Sequence, residues 1–207
     1  MGSMLACGRT SDYKMLKRVF PLGALLFLVA CGEQIAETPK PLGFPRLHLP
    51  EHQYRSWDSG CAYRLQLPNY ASMERDELYT PNPCWYNLNF KPFNATLHIT
   101  YHQVANLVQL DSLHADSRKF AFKHTIKAED ILEIPLANDD RSAVGFMYHI
   151  TGNTATNYSF YLTDSSRHFF RGALYFNSKT NPDSVAPVLQ FLREDLNHMI
   201  RRFRWKN

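Results

Sequence analysis

Asp164, Ser165 and His168 bring the residue types of a hydrolase triad together within a few positions, and Arg171 follows shortly after. A Ser-His-Asp triad draws its members from separate parts of a fold, and the Gly-x-Ser-x-Gly elbow that presents a serine nucleophile is absent. Asp164-Ser165-Ser166 instead separates two alternating apolar runs, where short polar side chains that bond their own backbone make a hairpin turn. A turn is the expected structure. Asp164, His168 and Arg171 remain the expected polar patch, either through an Asp164–Arg171 ion pair or as a surface for a partner. His98 and His102 raise metal ligation, because histidines at this spacing chelate zinc from one face of a helix. Thr96, His98, Thr100 and His102 alternate with Leu97, Ile99 and Tyr101, however, which is a strand pattern. On a strand the two imidazoles stand ~13 Å apart and face solvent. No metal site and no cofactor are expected, since the sequence holds no phosphate loop, no dinucleotide-binding glycine set and no Cys-His cluster.

Cys31 invites a different chemistry. Lys14, Lys17 and Arg18 precede an apolar run over 19–30, the n-region and h-region of an export signal. At 1.5 Å per residue that run covers ~18 Å, short of a ~30 Å hydrocarbon core, and no later stretch is long enough to span a bilayer. The run closes on Leu28-Val29-Ala30-Cys31-Gly32, which resembles the bacterial lipobox. The motif implies that signal peptidase II cuts after Ala30, that the Cys31 sulfur takes a diacylglyceryl group, and that the new N-terminus is acylated. Each buried CH₂ is worth ~0.8 kcal/mol, so two or three chains hold a domain on a membrane where one would be marginal. Cys7 has no apolar run before it and reads as incidental. Gly32, where an aspartate would favour inner-membrane retention, points to the outer membrane with the domain facing the periplasm. The expected organisation is a signal peptide over 1–30, a lipidated tether over 31–45 containing Pro39, Pro41 and Pro45, and a single domain over 46–207.

Cys61 and Cys84 then remain as a pair in an oxidising compartment, and a disulfide is the natural reading. Buried free thiols are the alternative; zinc ligation is disfavoured because neither cysteine has a Cys-x-x-Cys or histidine neighbour.

The elements that position these residues follow from periodicity. Tyr63, Leu65 and Leu67; Tyr86, Leu88 and Phe90; Leu97, Ile99 and Tyr101; Val144, Phe146, Tyr148 and Ile150; Tyr158, Phe160 and Leu162; and Phe170, Leu174 and Phe176 read as six half-buried strands. A helix is expected over 111–128, with Leu113, Phe120, Ala121 and His124 toward one side. A second is expected from Val185 to Phe203, where Val188, Leu189, Leu192, Leu196, Met199 and Ile200 recur at three and four, with Asp183 or Ser184 as N-cap and Pro187 in the first turn. The fold class is α+β, an antiparallel sheet of about six strands flanked by two main helices, similar in outline to the PsbP-like fold.

The leader holds four cations and one acid, so a net charge of +4 falls to +1 for residues 31–207. A nearly neutral domain excludes nucleic acid as the expected partner. Arg201, Arg202, Arg204 and Lys206 could form a basic surface for anionic lipid or an acidic partner, or could complement the dipole of the last helix. Asp111-Ser112-Leu113 and Asp183-Ser184-Val185 resemble an O-glycosylation acceptor at Ser112 and Ser184, and both also suit helix N-caps.

The stretches FPRLHLPEHQY (44–54), Pro83-Cys84-Trp85, KHTIKA (123–128), FYLTDSSRHFFRGALYFN (160–177) and FLREDLNHMI (191–200) together resemble the gliding motility lipoprotein GldD family of Bacteroidetes. The likeness runs from the lipobox to Trp205 and includes Cys61 and Cys84; the tail over 201–206 departs from the family in being richer in arginine. The resemblance implies a lipid-anchored, non-enzymatic envelope component, needed for gliding and acting as an assembly or stability factor with other gliding and type IX secretion proteins. No catalytic residue carries over from it. The alternative is a periplasmic hydrolase or small-ligand-binding lipoprotein using Asp164, His168 and Arg171.

Overall fold

A computed structural model describes residues 47–58, 60–77, 82–123, 128–178 and 182–206. The chain divides into two units, Met1–Phe44 and Pro45–Asn207. The expected export signal and tether, with Cys7 and Cys31, lie outside the described residues, as does His124.

In chain order the strands are β1 (Tyr54–Asp58), β2 (Tyr63–Pro68), β3 (Ser72–Arg75), β4 (Tyr86–Phe90) and β5 (Ala95–Gln103), then β6 (Ala128–Ala137), β7 (Val144–Gly152), β8 (Thr156–Thr163), β9 (His168–Phe176) and β10 (Arg204–Trp205). Helix α1 (Leu107–Phe122) lies between β5 and β6, and α2 (Pro182–Arg201) between β9 and β10. Seven strands form one antiparallel sheet in the order β3-β4-β5-β9-β8-β7-β6, and β1-β2-β10 form a small second sheet. The class is α+β, antiparallel, with two α-helices among the described residues.

Alternation decides what each face of the large sheet covers. Leu97 and Ile99 of β5, Phe160 and Leu162 of β8, and Phe170 and Leu174 of β9 face a core shared with Leu65 and Leu67 of β2, Leu192 and Leu196 of α2, and Phe203. The opposite face packs Tyr148, Ile150, Tyr161 and Phe169 against Leu110 and Ala121 of α1. Gly172 lies on the first face, and a Cβ there would come within 2.5 Å of the Phe160 ring, which fills the space the glycine leaves.

Four strands beyond the six expected are present, and each hides its pattern for a local reason. In β1 and β3 most residues are intermediate or exposed. Strand β6 is the sheet's outer edge, with acidic residues and largely exposed side chains, and β10 is two residues of the basic tail. Helix α1 begins earlier than expected because Asn106 is the N-cap: its side chain accepts from the Gln109 amide at 2.9 Å, while Gln109 Oε1 accepts from the Ala105 amide at 2.8 Å. Asp111 and Ser112 therefore sit inside the helix rather than at its cap. Its fully buried residues are Leu110, Ser117 and Ala121, and Phe120 is left 42% exposed. Helix α2 starts at Pro182, so Asp183 and Ser184 fall inside it and Pro187 stands past the first turn.

Cys61 and Cys84 form a disulfide with Cα atoms 5.9 Å apart, joining the segment before β2 to that before β4 and so tying the two sheets together. Closing a loop of this length is worth about 3 kcal/mol through the unfolded chain's lost entropy.

Candidate functional site

Helix α2 carries a carboxylate on its apolar stripe. Asp195 lies beside Leu196, one turn from Leu192 and Met199, and is 1% exposed. Three donors converge on it. The Tyr70 hydroxyl donates to Oδ2, the Tyr54 hydroxyl to Oδ1 at 2.9 Å, and His52 Nδ1 to Oδ1 at 2.7 Å. His52 Nε2 stands 3.1 Å from Glu194. Aromatic stacking completes the cluster: His52 lies on Phe191 with ring centroids 4.2 Å apart, and Tyr54 lies on His198 at 3.6 Å. Burial, and then the bond to Asp195, pushes the Tyr54 and Tyr70 phenols above their ordinary value, so both remain neutral donors. Burial, then Arg201 and Arg202, lowers His198. The cleft beside this cluster is about 480 Å³ and has no serine, threonine or cysteine among its described lining residues. The arrangement fastens residues 52–54 to α2.

A second polar region lies on the α1 side of the large sheet. Register aligns Asn87 with His98, His98 with Ala173, and Thr100 with Arg171, so alternation turns these side chains to one face. Leu113, Asp116, Ser117 and Phe120 of α1 wall off part of that face, leaving a groove of about 670 Å³. His98 and His102 thus both line this groove, His98 remaining exposed to solvent as expected and His102 partly buried. Burial, and then Arg171, lowers His102. Among the described residues no group of three or more His, Cys, Asp or Glu is placed to hold a metal ion.

The hairpin turn forms at Asp164, whose Oδ1 accepts from the amides of Ser166, Arg167 and His168 at 3.0, 2.8 and 2.9 Å. Burial acts to raise the Asp164 pKa, but these amide bonds outweigh it and hold the carboxyl below its ordinary value. The expected patch does not assemble. His168 belongs to the core side of β9, where its Nδ1 meets the Tyr101 hydroxyl at 2.7 Å and its ring stacks on Trp205. Arg171 is turned to the other face, its guanidinium 4.8 Å from the Phe120 ring centroid, and Asp164 and Arg171 form no ion pair among the described residues.

The basic tail is likewise not a free surface. Phe203 is fully buried, and β10 pairs with β2. Arg202 stands 3.5 Å from Asp139, Arg204 3.2 Å from Asp140, and Lys206 pairs with Asp58. The Lys206 bond, followed by the Gly60 amide, draws the Asp58 carboxyl down to about 2. These pairs are well exposed, so each adds little stability, but among the described residues they leave only Arg201 of the four cations without a carboxylate partner. Ser112 and Ser184 are exposed on α1 and α2. The residues that sequence reasoning passed over are His52, Tyr54, Tyr70 and Asp195. Their one local signal is an aspartate standing where an amphipathic helix should carry an apolar side chain.

Fold and sites define an antiparallel α+β domain whose polar clusters brace its own elements. The chain belongs to the gliding motility lipoprotein GldD family, whose model matches residues 34–205. No curated protein matches it. Among solved structures it is similar to the solution structure of cyanobacterial PsbP (CyanoP) from Synechocystis sp. PCC 6803, at 10% identity over 80% of this chain and 99% of that chain, with a TM-score of 0.46.

Proposed function

We propose that the protein is a lipid-anchored, non-enzymatic component of the cell envelope, held through acyl chains on Cys31. It serves gliding as an assembly or stability factor for the gliding and type IX secretion apparatus, on the periplasmic side of the outer membrane. The observation that carries this reading is the family match over residues 34–205, which begins just after the lipobox cysteine. Action by contact is supported by the edge of the large sheet, where Leu132 and Ile134 of β6 on one face and Val144 and Phe146 of β7 on the other are 37–48% exposed. A hydrolase built on Asp164, His168 and Arg171 loses its basis, since His168 and Arg171 occupy opposite faces of β9.

In cells, a photo-crosslinking residue placed at Ile134 is expected to capture envelope proteins that the same probe at Ser112 does not. Deleting the gene is expected to abolish spreading and lower the level of the captured partners. Unchanged spreading, adhesin secretion and partner levels after deletion would overturn the proposal.

A further inference from the structure

Among the buried polar atoms of the described residues that have no hydrogen-bond partner, Nε of Arg171 and Oγ1 of Thr156 stand together on the α1 side of the large sheet. Thr156 is only 2% exposed. Register pairs Thr156 with Tyr175, and Tyr175 shares its face of β9 with Arg171, so both atoms belong to one cavity of about 320 Å³. Phe120, Ile150, Ser159 and Tyr175 help line it, with Lys123 as a second cation. The two cations share one ring: Arg171 lies 4.8 Å and Lys123 4.9 Å from the Phe120 centroid.

The charge balance of this cavity is one-sided. Arg64, Arg118, Arg202 and Arg204 each have a carboxylate partner. Among the described residues Arg171, removed from solvent at Nε, has none, and no carboxylate lines the cavity. Asp116 lines the adjoining groove, which shares Phe120, Arg171 and Tyr175, and its charge favours the protonated guanidinium without forming an ion pair. A largely buried guanidinium with no paired carboxylate is costly, and orphaned buried donors are rare enough to need a reason. A water molecule would satisfy either orphan, but only an anion also neutralises the charge. The Nε edge of a guanidinium presents two parallel donors at the spacing of two oxygens on one carbon or phosphorus. A volume at the small end of ligand cavities suits one such group on a compact apolar body.

We infer that this cavity binds an oxyanion, a carboxylate or phosphate group carried on a small apolar ligand. Arg171 holds two of its oxygens, the Thr156 hydroxyl donates to one, Phe120 and Ile150 receive the apolar part, and Lys123 adds attraction. The site is independent of the Cys31 anchor, so the failure of either reading leaves the other standing.

The test is calorimetric titration of the full lipoprotein in detergent with inorganic phosphate, benzoate and phenyl phosphate, and with benzyl alcohol as the neutral control. Saturable binding of benzoate or phenyl phosphate with a dissociation constant of roughly 1 mM or below is expected, with none for the alcohol. Stronger binding of benzoate marks a carboxylate, and of phenyl phosphate a phosphate ester; binding of inorganic phosphate alone overturns the inference, because it leaves the apolar part of the cavity unused. Arg171→Gln is expected to weaken the bound anion at least tenfold; should that variant not fold, the near-isosteric Thr156→Val decides, with a loss of at least threefold. No saturable binding, or anion binding that the deciding variant leaves unchanged, overturns the inference.

Discussion

Asp195→Ala will lower the free energy of unfolding by roughly 3–5 kcal/mol, the range for removing one partner from a buried charged network. The loss is large because one deletion orphans three donors at once: His52, Tyr54 and Tyr70 all close on this carboxylate inside the protein. Asp195→Asn, which keeps the shape and one acceptor oxygen, will cost less. The two variants also separate a local role from a general one. Tyr54 stacks on His198 and His52 on Phe191, so loss of the carboxylate should free the segment around residues 50–55 before the sheet opens. Denaturant unfolding with amide exchange at Gln53 to Arg55 measures both effects. A change below about 1 kcal/mol in Asp195→Ala would mean that the cluster does not brace the fold.

Gly145→Ala is expected to destabilise by roughly 3 kcal/mol or more, at the upper end for overpacking. An added Cβ would lie 1.9 Å from the Tyr161 carbonyl oxygen and 2.8 Å from its carbon. These are backbone atoms of the paired strand, so no side-chain rotation relieves the contact. Strands β7 and β8 must part where Gly145 faces Leu162, one pair in from the Val144–Thr163 end of a ladder that runs to His149–Tyr158. Thermal unfolding checks the prediction, and a melting temperature equal to wild type would contradict the close approach of the two strands.

What could be read in advance was the periodic part. Tyr63, Leu65 and Leu67 are fully buried and alternate with polar residues, so β2 declared itself; α2 did so through Leu192, Leu196 and Met199. Alternation also placed Arg171, Ala173 and Tyr175 on one face of β9, but a strand pattern does not say which layer will cover that face, and here it is α1. The start of α1 was legible in Asn106 and Gln109, yet Asp111-Ser112 offers the same kind of oxygen a turn later, and only the backbone decides between them. The basic tail shows the limit most clearly. Arg202, Arg204 and Lys206 spell one charge run whether solvated or paired, and what pairs them is chain topology, which returns Asp58, Asp139 and Asp140 to their side. Asp195 was an anomaly in plain view, but its partners come from more than a hundred residues earlier.

On the proposed function, acyl chains on Cys31 fasten this domain to a membrane. The direct measurement is labelling of growing cells with an alkyne analogue of palmitate, comparing wild type with Cys31→Ser at equal abundance, followed by fractionation and a spreading assay. The wild-type protein should take up label and sediment with membranes, whereas Cys31→Ser should stay unlabelled, leave the membrane fraction and fail to support spreading. An unlabelled wild-type protein, or a Cys31→Ser strain that spreads normally, would contradict the account.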